Sequence, residues 1–113
     1  MIDNLKTNQI FVFGSNLGGI HAGGAAKQAV EQFGAVWGVG SGLQGQSYAI
    51  PTMGGIEQIK RYVEQFKRVA FLLPEFTFLL TPIGQGIAGY SREEIEPLFE
   101  NAPVNVIKVG WSK

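Results

Sequence analysis

The stretch IFVFGSNLGGIHAGGAA, from Ile10 to Ala26, decides how the rest of the chain is read. Its first four residues are aromatic or β-branched and apolar without a break, which predicts a buried strand. The strand runs into Gly14-Ser15-Asn16 and a loop carrying Gly18, Gly19, Gly23 and Gly24. Small residues and then an apolar stripe follow, so a helix is expected to start there. A strand, a glycine loop and a helix N-terminus make a pocket lined by backbone N–H groups and faced by the positive end of a helix dipole. Such a pocket suits a phosphate. The competing reading is a mobile glycine-rich surface loop.

Working outward, 113 residues fit one domain, 1–113, large enough to bury a core without staples. The absence of cysteine rules out disulfides, thiolate nucleophiles and thiolate metal sites. A single histidine, His21, cannot build a multi-histidine metal centre, and neither a metal nor a cofactor is expected. Nine basic and nine acidic residues are well mixed and cancel. Nucleic acid and anionic membranes, which need concentrated positive charge, are therefore not expected partners. The first residues, MIDNLKTNQ, show no signal-peptide core, and the apolar run Val69–Leu73 is stopped by Pro74-Glu75. A soluble, cytoplasmic protein is the expectation. Oligomeric state is left open.

Along the chain, Ala25, Ala26, Ala29, Val30 and Phe33 fall at helical spacing, with Gly34 placed to end that helix. Residues 35–46, AVWGVGSGLQGQ, read as a strand tip or loop rather than an element. SYAIPT, Ser47–Thr52, reads as a short strand ended by Pro51. Ile56, Ile59, Val63, Phe66 and Ala70 step by three and four, predicting the most regular helix, from Ile56 to Ala70. Phe76–Leu80 is a second buried strand. Ser91 with Glu94 forms a capping box, and Pro97 demands a kink or a new short turn. Asn105–Val109 closes the chain as a last strand. Alternation of this kind argues for an α/β domain with a largely parallel sheet.

Several familiar motifs fail. Gly14 to Gly19 has P-loop glycine spacing, but Ile20-His21 stand where Lys-Ser/Thr is required. Gly40, Gly42 and Gly45 precede a strand instead of a helix. Gly84, Gly86 and Gly89 do lie between a strand and a helix start. Too little chain follows for a Rossmann unit, however, and no acidic residue lies beyond Glu100. The only aspartate, Asp3, sits in an N-terminal segment expected to be disordered, so no Ser–His–Asp arrangement forms.

A pair of loops survives. Both are glycine-rich, both follow buried strands and both lead toward helix starts. Ligands of α/β sheets bind beyond the carboxyl ends of the strands, so neighbouring strands would set the loops across one crevice. Neither loop contains Lys or Arg. An anion there would be held by amides and dipoles alone. Asn16 would read a sugar or base, or else cap its own turn. Tyr90 would wall off a ring, or else pack as a core aromatic at the helix entry. His21 reads as a loop residue ahead of a general base.

The two loops, VFGSNLGGIHAGGAA and FLLTPIGQGIAGYS, resemble those of macro domains, which bind ADP-ribose and related nucleotides. In that family a strand ends in an asparagine and a glycine-rich segment enters a helix, which Asn16 and Gly23-Gly24-Ala25-Ala26 match. The second family loop has the form G-x-G-[IV]-x-G-[YF] and holds the diphosphate; Gly84, Gly86, Ile87, Gly89 and Tyr90 match it. SYAIPT resembles the strand between the loops. The chain is similar to a minimal member of the family, of the small sort found in phage and bacterial genomes. The resemblance implies a three-layer α/β/α domain with a mixed, largely parallel sheet. It also implies ligand contacts from Gly14, Ser15, Asn16, Gly23, Gly24, Ala25, Gly84, Gln85, Gly86, Ile87, Ala88, Gly89 and Tyr90.

Departures from the family bear on chemistry. Some macro domains hydrolyse ADP-ribose esters with a lysine in the first helix and an aspartate in the second loop. Ala88 stands at the aspartate's position, and Lys27 is off the lysine's place, which falls nearest Val30. A lysine without a carboxylate to activate it is a poor nucleophile. The expectation is thus a reader or sequestering module for ADP-ribose or another NAD-derived nucleotide, with no catalytic residue assigned. A hydrolase of ADP-ribosylated substrates is the first alternative. A structural or oligomer-forming protein whose glycine loops are mere turns is the second.

Overall fold

The structure, a computed structural model, describes residues 2–111. The chain forms β1 (Gln9–Ser15), α1 (Gly24–Gln32), β2 (Gly42–Gln44), β3 (Ser47–Pro51), α2 (Ile56–Leu72), β4 (Thr77–Leu80), α3 (Arg92–Ile95), a 3-10 turn (Glu96–Phe99) and β5 (Val106–Lys108). The five strands make one mixed sheet in the order β2-β3-β1-β4-β5. β1 is central. It runs parallel to β3, with Phe11 beside Ser47 and Ser15 beside Pro51, and parallel to β4, with Gln9 beside Thr77 and Val12 beside Leu80. β5 is parallel to β4, and only β2 is antiparallel, to β3.

Successive side chains of a strand point to opposite faces, and β1 uses both for burial. Phe11 and Phe13 pack with Ala26 and Ala29 of α1, Phe33 and Ala49. Ile10 and Val12 pack with Tyr48, Ile50, Phe78, Leu80 and the stripe Ile59, Val63, Phe66, Ala70 of α2. Phe66 meets Tyr48, Phe78 and Phe99 edge-on at 5.1–6.1 Å between ring centres. Both faces therefore demand apolar residues, which is why Ile10–Phe13 shows no alternation.

The caps follow the expected chemistry. α1 ends at Phe33, and Gly34 turns the chain with φ +79°. Ser91 and Glu94 form a complete capping box on α3, and Pro97 opens the 3-10 turn. α2 lacks a side-chain cap on itself. Instead Asn105 reaches back from the foot of β5, its Nδ2 donating to the carbonyls of Ala70, Leu73 and Phe76 at 2.9–3.1 Å.

Three expectations need correction. Residues 35–46 hold a strand, β2, because Gly42–Gln44 finds Ser47–Ala49 across a tight turn. α2 runs past Ala70 to Leu72. The N-terminal segment is not free, since Ile2 and Leu5 pack against the α1 side of the core and Gln28 donates from its side chain to the Ile2 carbonyl at 2.5 Å. No helix among the described residues is long and apolar enough to cross a membrane.

Candidate functional site, a crevice between two glycine loops

Because β1 and β4 are parallel neighbours, the loops that leave their carboxyl ends stand side by side. Between them opens a crevice of about 450 Å³, within the range of small-molecule sites. One wall is Gly14, Ser15, Asn16, Ile20 and the segment Ala22 to Ala26; the other is Gly84, Gly86, Ile87 and Ala88. Thr52 and Met53, just past β3, and Thr81, Pro82 and Ile83, just past β4, complete the lining.

The first wall is held by its own polar side chains. Asn16 closes a ring on Ile20, its Oδ1 accepting from the Ile20 N–H at 3.0 Å and its Nδ2 donating to the Ile20 carbonyl at 3.1 Å. Ser15 Oγ donates to the Gly40 carbonyl. Thr52 Oγ1 donates to the Ser15 carbonyl at 3.3 Å, and Thr81 Oγ1 to the Val12 carbonyl at 2.7 Å. Gly19, at φ +67°, lies so close to Gly38 that an added Cβ would come within 2.2 Å of its carbonyl carbon. The loop and the 35–40 segment are thereby fastened together.

His21 serves the same fastening. It is 2% exposed, packs edge-on against Phe13 at 5.2 Å, and its Nε2 lies 3.1 and 3.0 Å from the carbonyls of Val36 and Val39. Two acceptors facing one nitrogen put the hydrogen there. His21 sits behind the wall and offers nothing to the crevice.

On the second wall Gly84 has φ +73°, and a Cβ there would press to 3.0 Å of Ile95. Only glycine fits. Gly86 differs, for its added Cβ meets nothing and its φ is ordinary.

Beside these side chains, each bonded within the protein, the crevice offers backbone donors. Among the described residues, the N–H groups of Gly24, Ala25 and Ala26 and those of Gly84, Gly86, Ile87 and Ala88 have no hydrogen-bond partner. The first three are the open donors of any helix start, and the N-cap, Gly23, supplies no side chain to satisfy them. No lining residue is ionisable. Lys27 is exposed and outside the lining. The described residues include no group of His, Asp and Glu able to hold a metal ion.

Of the residues expected at the site, Gly14, Ser15, Asn16, Gly23, Gly24, Ala25, Gly84, Gly86, Ile87 and Ala88 come together in the lining; Gln85, Gly89 and Tyr90 do not. Tyr90 is half-buried against the α2 side of the core, its N–H donating to the Gly84 carbonyl at 2.8 Å, which is the packing alternative for that ring. Gly89 closes the loop through an N–H bond to Gly86 at 3.0 Å. Thr52 and Thr81 were not anticipated. The available signal is that SYAIPT and FLLT both end a buried strand in threonine, at the carboxyl edge where ligands sit.

A more open cleft of about 550 Å³ lies between α2 and residues 100–103. There Lys67 is already engaged, with Glu64 at 3.0 Å and the Glu100 carbonyl at 2.9 Å. That cleft lies away from the strand ends. Compared with protein-family models, with curated proteins and with solved structures, the chain matches none.

Proposed function

We propose that the chain binds ADP-ribose or a closely related NAD-derived nucleotide in this crevice, as a reader or sequestering module of macro type. The observation that carries the proposal is that residues with unpartnered amides, Gly24–Ala26 in the first turn of α1 and Gly84, Gly86, Ile87 and Ala88 in the second loop, line one crevice. Amide rows at a helix start and a glycine loop are an anion-binding arrangement. Two of them on one crevice suit a diphosphate, and the volume leaves room for more than phosphate alone. The motif match at Gly84, Gly86, Ile87 and Gly89 supports the same ligand. α1 on one side of the sheet and α2 with α3 on the other accord with the three-layer α/β/α plan of that family.

Binding is favoured over hydrolysis because no lining side chain can activate water or a nucleophile. A thermal-shift series over nucleotides tests the proposal. ADP-ribose at a hundred times its dissociation constant should stabilise the fold by about 2.7 kcal/mol, with adenosine giving no shift. Salt should weaken binding only mildly, since no ion pair holds the phosphates. Equal shifts from adenosine and ADP-ribose would remove the phosphate argument. No shift from any nucleotide would favour the turn-only reading of the loops.

A further inference from the structure

Trp111 is buried and stands outside the crevice lining. Gly110, at φ +78°, turns the chain past β5. The indole Nε1–H then donates to the carbonyl of Leu80, the last residue of β4, at 2.8 Å. The carbonyl of Trp111 accepts from the guanidinium of Arg92, the first residue of α3. Between Leu80 and Arg92 lies the second glycine loop, residues 81–91, so one residue holds both of its ends. The ring is fixed in turn by Phe99, which it meets edge-on at 6.1 Å.

The loop has few other ties. Among the described residues, the backbone hydrogen bonds of Pro82–Tyr90 join the loop to itself: Ile83 to Thr81, Gly89 to Gly86 and Tyr90 to Gly84. Its outward contacts are packing, with Ile83 and Tyr90 in the core and Gly84 against Ile95 of α3. The first loop, by contrast, is bonded to the 36–40 segment through Ser15, Gly19 and His21. The second wall is thus placed by its ends and by α3.

We propose that Trp111 is a positioning residue for the candidate site, clasping the end of β4 to the start of α3 and so fixing where the N–H groups of Gly84, Gly86, Ile87 and Ala88 stand. The proposal rests on the nucleotide reading of the crevice and adds to it a residue that touches no ligand. Arg92 and Ile95 are neighbours on one helix face, so holding the first sets the second against Gly84. Donors already in place bind an anion without the cost of ordering them, and donors released from a clasp pay it. The indole suits the task because it brings an apolar ring and a single donor.

Trp111→Phe removes that donor and keeps an aromatic ring beside Phe99. The Leu80 carbonyl retains its bond from the Val109 N–H at 2.9 Å, so the pairing of β4 with β5 stays. Hydrogen exchange in the ligand-free chain reads the clasp itself: the Gly89 and Tyr90 amides, which close the loop, should exchange about threefold to tenfold faster. Calorimetry under conditions where both chains are folded reads the consequence, an ADP-ribose affinity lower by about threefold to tenfold, the fold-change of one hydrogen bond. Asn105→Ala is the structural comparison, since Asn105 bonds the carbonyls of Ala70, Leu73 and Phe76 away from the crevice. It should lower the denaturation midpoint and leave both the affinity and the two exchange rates unchanged. If Trp111→Phe does not fold, the indole N–H signal of Trp111 in the wild-type chain carries the test, and it should shift and saturate with ADP-ribose. Unchanged exchange in the folded variant overturns the proposal. So does an unchanged affinity beside a lowered midpoint, or an indole signal that stays still while the loop amides saturate. A wild-type chain that binds no nucleotide removes the nucleotide reading instead, and the exchange rates alone then decide whether Trp111 holds the loop.

Discussion

At the scale of the residue, two glycines of one loop have opposite duties. Gly84 is held by geometry, with left-handed backbone and Ile95 pressed against it, whereas Gly86 stands in open space. Gly86→Glu therefore separates ligand from fold. It should alter stability by no more than about 0.5 kcal/mol, as an exposed change away from packed groups. Binding of ADP-ribose should be lost, because a carboxylate and a diphosphate repel each other at one set of amides. Chemical denaturation and calorimetry on the same preparation check both halves. Asn16 shows what residue type leaves open. Its amide suits either a ligand-reading role or a turn cap, and in the fold it lines the crevice while bonding Ile20 at both ends. Sequence offers the donor and acceptor of an asparagine; only the folded loop shows which groups take them.

At the scale of the element, α1 begins on an uncapped glycine. Gly23 has φ −156°, which any residue adopts, and an added Cβ meets nothing there. Gly23→Asp should supply the missing cap and leave stability unchanged or raise it by a few tenths of a kcal/mol. It should abolish nucleotide binding by occupying the same amides. A variant that gains stability and still binds ADP-ribose would move the phosphate away from α1. The helices were legible because their signals are local: the stripe Ile59, Val63, Phe66, Ala70 and the pair Ser91 and Glu94 each lie within a few turns. β2 was not legible, since three residues between glycines carry no period and become a strand only by pairing with β3.

At the scale of the molecule, the strand order β3-β1-β4 makes the site, and order is a long-range property. Motifs named both loops, but nothing local showed that their strands adjoin or that Thr52 and Thr81 floor the space between them. The far side is clamped by charge. Glu96 accepts from Arg92 at 2.8 Å and from Lys108 at 2.9 Å, joining the start of α3 to β5. Those hydrogen bonds, Arg92 first, hold its carboxyl at a pKa of about 2, below the ordinary 4.5. A lowered carboxylate pKa stabilises the fold above the unfolded value, and that stability is lost as the pH falls from about 4.5 toward 2. Solvent and salt screen the cluster, so the effect should be small. Glu96→Gln should flatten the acid limb of stability in that window, measured by denaturant titration across pH, and leave neutral-pH nucleotide binding intact.

If two rows of backbone amides hold a nucleotide's phosphates, amide-resolved NMR titration with ADP-ribose reads those groups themselves. The largest shifts should fall on Gly24–Ala26 and Gly84–Ala88, saturating together, with adenosine moving none of them. Saturating shifts that instead centre on Lys67, Arg68 and residues 100–103, with both glycine loops still, would contradict it.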